Sequence, residues 1–127
     1  MGNTINIYYY RRANKYLNKL DKNEKNKLTI LINSKIKDFI EKNDRRYIQQ
    51  EKYFSKIGKF DSTIYYLRIS NDYRAIMSID EDPIFEETDV TIYTICKHDK
   101  LQIEIQGIME SLYQKMINEE TYDEGDE

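Results

Sequence analysis

Two arginines stand on either side of a predicted tight turn and are the first candidates for chemistry in this chain. The mostly apolar run 64–76 has Asn71 and Asp72 near its middle, and both residue types tolerate turn geometry. The run therefore predicts a hairpin of two strands, with Arg68 before the turn and Arg74 after it. The guanidinium groups of two arginines near one turn could bind an anion such as a phosphate.

The only histidine of the chain follows a second apolar run. Residues 90–96 predict a strand, and Lys97, His98 and Lys100 come directly after it. If this strand is a neighbour of the hairpin, these side chains and the two arginines form one cationic cluster at an edge of the sheet. Histidine titrates near neutral pH, so the cluster could both bind and move a proton. The sequence therefore predicts a phosphate or RNA site.

Length and composition limit the class of protein. The 127 residues are enough for one domain with a modest core, which we place at 1–118, followed by an acidic tail at 119–127 that is predicted to be disordered. The single cysteine, Cys96, excludes an intramolecular disulfide and is typical of a reducing compartment. The chain has no apolar run of about 18 residues and no signal-peptide pattern. We therefore predict a cytoplasmic protein that does not bind a membrane.

Metal and cofactor chemistry finds little support in the sequence. One histidine and one cysteine leave no zinc site of the usual spacing. The chain has four glycines and no glycine-rich phosphate loop. No Ser-His-Asp or Cys-His set is recognisable. Cys96 lies inside a predicted strand, where a buried thiol is expected. We therefore predict neither a metal nor a cofactor.

Charge is strongly segregated along the chain although the net charge is only −3. Residues 11–60 hold 15 basic and 6 acidic residues, whereas 80–89 and 119–127 hold 6 acidic residues each and no basic one. The residues outside the two acidic segments carry a net positive charge, which could attract polyanions. The alternative is that these runs are solvated faces and that the tail only keeps the protein soluble.

Hydrophobic periodicity predicts the order strand, helix, helix, three strands, helix. The first strand is predicted over 5–10 and a short helix over 13–20, and a longer helix has its apolar stripe from Leu28 to Ile40. A last helix is predicted over 105–117. The predicted fold class is α+β: a small antiparallel sheet, a helical hairpin on one face and an extra C-terminal helix. The other face of the sheet could stay open as a binding surface.

Three local features refine this prediction. Asp21 is a predicted helix cap, with Glu24 as its capping-box partner. A short strand is predicted at Tyr53–Ile57 within a longer polar loop. The acidic segment 80–89 contains the only proline, Pro83, which cannot donate to a strand ladder. We therefore predict that this segment is a loop or a break in the strand.

Two segments of the chain resemble motifs of the RelE/ParE-type toxins of bacterial type II toxin–antitoxin systems. The first is 64–74, IYYLRISNDYR, and the second is 95–101, ICKHDKL. The resemblance covers roughly 5–103, and the predicted order of elements matches the family as well. It implies a toxin that is silenced by a cognate antitoxin. Better-known members of the family cleave messenger RNA in the ribosomal decoding site, so the resemblance implies the ribosome and mRNA as further partners.

The resemblance also implies roles for single residues. Arg74 matches the arginine that contacts the scissile phosphate in the nuclease branch, and His98 is the candidate general acid or base for attack by the 2′-hydroxyl. Arg68, Lys97 and Lys100 are the candidate phosphate or RNA contacts. Each has a structural alternative: Arg74 could pin the hairpin, Arg68 could form an ion pair, and His98 could be exposed without a role. The implied activity is that of a metal-independent endoribonuclease.

Departures from the nuclease pattern favour an alternative function. Ribosome-dependent members carry lysines on the strand before the hairpin turn, where this chain has Tyr65, Tyr66 and Leu67. The alternative is a toxin-fold protein that acts by binding, either as a ParE-like inhibitor of gyrase or as a detoxified regulator paired with an antitoxin. The C-terminal helix has an apolar stripe. If that stripe does not pack on the chain's own sheet, it would need a partner, which could be a second copy of the chain in a homodimer or an antitoxin.

Overall fold

A computed structural model of the chain describes residues 4–50 and 64–111, which form a five-stranded sheet with helices on both faces. The elements in chain order are β1 Thr4–Tyr9, α1 Arg11–Asn18, α2 Lys22–Lys42, β2 Ile48–Gln50, β3 Ile64–Arg68, β4 Tyr73–Asp82, β5 Glu87–Lys97, a 3₁₀ turn His98–Lys100 and α3 over residues 101–111. The predicted α+β fold class is confirmed, with β2 as an additional strand.

The sheet is mixed rather than antiparallel. Its strand order is β1-β5-β4-β3-β2, and three successive antiparallel pairings run from β2 to β5. β1 lies on the far edge and pairs with β5 in parallel, from Thr4 opposite Glu87 to Tyr9 opposite Ile92. The prediction of an antiparallel sheet was wrong for this one pairing. Hydrophobic periodicity predicts a strand, but it does not indicate whether the neighbouring strand runs parallel or antiparallel to it.

The two helices that follow β1 form the predicted helical hairpin on one face. The Asp21 carboxylate accepts the Glu24 N–H at 2.9 Å, which confirms the predicted cap of α2. α2 ends at Lys42 and is capped by Asn43, whose φ of 56° is the left-handed conformation common after helices. The stripe of α2 is buried at Leu28, Ile32 and Ile36 against the sheet. Local capping and burial of this stripe therefore account for the long helix.

The acidic segment 80–89 is a continuous hairpin, which corrects the prediction of a loop or a broken strand. β4 continues to Asp82, β5 begins at Glu87, and Pro83 lies in the turn between them. The Asp82 carboxylate accepts the N–H groups of Ile84 and Phe85 at 3.0 and 3.3 Å. Pro83 therefore interrupts no ladder, since it stands where no cross-strand hydrogen bond is needed.

The second face of the sheet is covered as well. Leu101, Ile105 and Ile108 of α3 are buried with Ile76 and other residues of that face. The expectation of an open face was wrong where α3 lies, because its apolar stripe packs on the chain's own sheet. We expected a homodimer through this helix if its apolar stripe did not pack on the chain's own sheet. Over residues 101–111 the stripe does pack there, so that condition is not met. In the part of the chain that the structure describes, no helix is long and apolar enough to cross a membrane.

Some predictions fall outside the described residues. These are the strand at Tyr53–Ile57, the end of the C-terminal helix beyond 111, and the acidic tail 119–127. The placement of one domain over 1–118 likewise stays a prediction.

Candidate functional site

The predicted hairpin turn is present, and both of its arginines bind the turn itself. Arg74 Nη1 donates to the carbonyl oxygens of Ser70, Asn71 and Tyr73 at 2.6, 3.2 and 3.1 Å. Arg68 Nη2 donates to the Asn71 side-chain oxygen at 2.6 Å. The contacts of Arg74 match the structural alternative, in which it pins the hairpin. It does so through backbone carbonyls rather than through a carboxylate.

A lysine from α2 reaches the same turn from the other face of the sheet. Lys35 Nζ donates to the carbonyl oxygens of Arg68 and Ile69 at 3.0 and 2.7 Å, and lies 3.9 Å from the centroid of the Tyr47 ring. Burial, and then the neighbouring Arg68, Arg46 and Arg74, lower the pKa of Lys35. Positive charge is thus concentrated at this end of the sheet. Lys35 was not among the predicted site residues, because the sequence contains no local signal for this contact.

His98 is joined to the same turn through its backbone. Its N–H donates to the Asp72 carbonyl oxygen at 2.8 Å, so that the 3₁₀ turn after β5 lies against the β3–β4 turn. The side chain is exposed, and it makes no hydrogen bond with residues 4–50 or 64–111. Arg68, Arg74 and His98 therefore lie at one end of the sheet, but each at a separate position around the turn.

A groove opens beside the last residues of β5, where the sheet loses a strand. β1 ends at Tyr9 opposite Ile92, whereas β5 continues to Lys97. The chain turns into α1 at this point, and α1 rather than a strand runs alongside the end of β5. The resulting cavity of about 420 Å³ is lined by Arg12, Lys15, Tyr16, Lys19, Thr94, Ile95, Cys96, Lys97, Lys100 and Glu104.

The walls of this basic groove are strongly cationic. One wall consists of Arg12 and Lys15 of α1 and of Lys19 at its C-cap, whose spacing of three and four residues puts them on one face of the helix. Lys97 and Lys100 face them from the end of β5 and the 3₁₀ turn. The groove therefore brings two of the predicted RNA contacts together with three basic residues that the predictions did not include. The signal for those three was the acid-free stretch 11–20, in which Arg12, Lys15 and Lys19 recur at helical spacing.

Among the residues that the structure describes, one of these cations is neutralised by a nearby acid. Arg12 forms an ion pair with Glu104 at 3.0 Å. In residues 4–50 and 64–111, no carboxylate pairs with Lys15, Lys19, Lys97 or Lys100. Within the described residues, four ammonium groups without a carboxylate partner surround the groove, which favours a local positive potential despite the net charge of −3.

The floor of the groove is apolar, and its one thiol, Cys96, is not reactive at neutral pH. Lys97 Nζ lies 5.2 Å from the centroid of the Tyr73 ring, which meets the Tyr16 ring edge-on at 6.4 Å. Burial, and then the nearby Glu104, raise the pKa of the Cys96 thiol to about 11. The thiol is therefore protonated at neutral pH and is no nucleophile. The groove is thus suited to binding an anion over an apolar floor.

The positive surface continues along α1 beyond the groove. A second cavity of about 570 Å³ is lined by Tyr10, Arg11, Arg12 and Lys15. The Tyr10 ring is 55% exposed and contacts the Tyr93 ring edge-on, with 6.0 Å between centroids. An exposed aromatic ring beside cations is a common feature of surfaces that bind single-stranded nucleic acid.

Comparisons with known proteins give one structural likeness. No protein-family profile and no curated protein matches the sequence. The structure is similar to that of the YoeB dimer from Staphylococcus aureus, with 18% identity over 74% of this chain and 95% of that chain, and a TM-score of 0.47. A likeness of this degree assigns neither a family nor an activity.

Proposed function

We propose that this protein is a toxin of a toxin–antitoxin system, that it binds the sugar–phosphate backbone of RNA in the basic groove, and that it cleaves messenger RNA on the ribosome. The observation that supports this most is the set of four lysines without carboxylate partners in the described part of the chain, beside the turn that presents His98. The resemblance of segments 64–74 and 95–101 to RelE/ParE-type toxins supports the class of protein.

The groove fits a single strand of nucleic acid. Lys19 follows Arg12 by seven positions, or about 10 Å along the axis of α1, so that these cations can contact successive phosphates. Lys97 and Lys100 would hold the opposite side of the strand. Such contacts are independent of base sequence, because they involve phosphate groups alone.

The proposed reaction needs two proton transfers. A base removes the proton of the 2′-hydroxyl, whose oxygen attacks the adjacent phosphorus. The bond to the 5′-oxygen breaks, and an acid protonates that leaving oxygen. His98 is exposed at the strand end beside Lys97, and we assign it one of the two transfers. Positively charged side chains would stabilise the charge that develops on the phosphorane oxygens.

A second candidate function is binding without catalysis. Arg74 Nη1 is occupied by three carbonyl oxygens of the hairpin turn, so the residue that resembles the family's phosphate contact already has a structural task. A protein that binds RNA, gyrase or an antitoxin through the basic groove would need neither this arginine nor His98 for chemistry. We keep this candidate as the alternative outcome of the experiment below.

Induced expression in a bacterial host separates the two candidates. The nuclease proposal predicts growth arrest together with cleavage of ribosome-bound messages. It would be supported if His98→Ala and the double variant Lys15→Glu/Lys19→Glu each relieve both effects. Lys27 and Lys37 are exposed on α2 away from the groove, so Lys27→Glu/Lys37→Glu is the control of equal charge. Arrest that survives His98→Ala but not the groove variant would favour action by binding. No arrest by the intact protein would contradict the toxin proposal.

The cognate antitoxin is part of the same proposal. The resemblance implies a small partner protein, and the most direct search is co-expression of this chain with the product of each neighbouring gene. A partner that restores growth and co-purifies with this chain would support the proposal. If no neighbouring product does so, the assignment to a toxin–antitoxin pair loses its support.

A further inference from the structure

The acidic hairpin, residues 80–89, presents an apolar tip to solvent. Ile84 is 82% exposed and Phe85 is 70% exposed, the highest values among the exposed large hydrophobic residues of the described chain. Their N–H groups both donate to the Asp82 carboxylate, which orders the turn. Single exposed apolar side chains are ordinary on a protein surface, but two adjacent ones at a turn are a candidate contact point.

Acidic residues surround this tip and a third strand supports its base. The hairpin holds six acidic residues and no basic one. Thr4 N–H donates to the Glu86 carbonyl oxygen at 3.0 Å, and Asn6 Nδ2 donates to the carboxylates of Glu87 and Asp89 at 3.0 and 2.9 Å. The hairpin is therefore a supported acidic projection with an apolar end, and its natural partner is an apolar groove with a basic rim.

The chain itself contains such a groove. The floor of the basic groove includes Tyr16, Ile95 and the protonated Cys96, and its rim is formed by lysines. The acidic hairpin and the basic groove lie at opposite ends of the sheet, because β4 runs for 10 residues from Tyr73 near the groove to Asp82 in the hairpin. A strand of this length spans about 30 Å. A molecule therefore cannot place its own hairpin in its own groove.

We propose that the acidic hairpin of one molecule docks in the basic groove of a second copy of this chain. Ile84 and Phe85 cover the apolar floor, and the carboxylates around them meet the lysines of the rim. The contact joins two different surfaces, so each pair still has one free groove and one free hairpin. Association is then head to tail and is not limited to dimers. This interaction goes beyond the proposed function and does not depend on it.

Sedimentation velocity of the full chain over a wide range of concentration tests the association. The expected mass rises with concentration at low salt and falls at high salt, where charge pairs are screened. Ile84→Ser/Phe85→Ser and Lys15→Glu/Lys19→Glu should each raise the apparent dissociation constant at least about tenfold. Ile30→Ser is the control for exposed apolar residues, since Ile30 is 66% exposed on α2. Lys27→Glu/Lys37→Glu is the control for charge.

Mixing the two defective variants gives the sharper test. The hairpin variant keeps its groove and the groove variant keeps its hairpin, so an equimolar mixture should form dimers and nothing larger. Circular dichroism of each variant verifies that it is folded. A monomeric intact protein at every concentration would overturn the proposal. So would association that survives either double substitution, or a mixture of the two variants that stays monomeric.

Discussion

Arg68 and Arg74 lie directly opposite each other on β3 and β4, where the two strands enter the same turn. Like charges at directly opposed positions destabilise a strand pair. Here each guanidinium donates to acceptors of the turn, Arg74 to three carbonyl oxygens and Arg68 to the Asn71 side chain. The turn therefore offsets the repulsion, and its conformation depends on the arginines.

Arg74→Ala should destabilise the fold more than Arg68→Ala. The first substitution leaves carbonyl oxygens of the half-buried turn without their charged donor, and we expect a loss of about 1–3 kcal/mol in the free energy of unfolding. The second removes one exposed hydrogen bond together with the repulsion, so the change should stay within about 0.5 kcal/mol. Urea denaturation measures both values. An Arg74→Ala protein as stable as the parent would contradict the structural role that we assign to this residue.

RNA binding should depend steeply on salt. If Lys15, Lys19, Lys97 and Lys100 each neutralise one phosphate, the plot of log affinity against log salt concentration should have a slope of about −3 for a single strand. Lys19→Gln should make the slope less negative by about 0.7, whereas Lys27→Gln on α2 should leave it unchanged. Fluorescence anisotropy with a labelled oligouridylate gives these slopes. Equal effects of the two substitutions would show that binding does not involve the basic groove.

The Cys96 thiol should be almost inert at neutral pH. Because burial raises its pKa from 9.0 to about 11, the folded state holds this proton more tightly than the unfolded state. The resulting contribution to stability is present below pH 9 and is lost as the pH rises towards 11. Alkylation by iodoacetamide should therefore be slow until the pH approaches 11 in the folded protein, and fast in urea. Rapid alkylation of the native protein at neutral pH would contradict this prediction.

The stability of the fold should also depend on pH through Asp80 of the acidic hairpin. Asp80 lies opposite Asp89, and burial followed by that neighbouring charge raises the pKa of Asp80. The folded state therefore binds this proton more tightly, so that acidification through the range of this pKa stabilises the fold relative to neutral pH. Asp80→Asn should stabilise the protein at neutral pH by about 0.5 kcal/mol or less, since solvent screens the pair. The gain should shrink at acidic pH, and thermal melts at several pH values measure it.

The sequence by itself predicted most of the local structure. Periodicity indicated both helices of the helical hairpin, Asp21 marked the start of α2, and Asn71-Asp72 marked the turn between β3 and β4. These features depend on residues that are near one another in the chain, where propensity and capping act. The same reasoning placed the candidate basic residues at one end of the sheet.

Tertiary structure alone decided which surfaces meet. Periodicity shows that a strand or helix has an apolar face, but it does not show which partner covers that face. The parallel pairing of β1 with β5, and the packing of α3 on the second face, therefore had no local signal. The basic groove exists because β1 ends before β5 does, which brings α1 beside the strand end. Lys15 and Lys19 meet Lys97 through such long-range packing, and for that reason the sequence did not show that they line one groove.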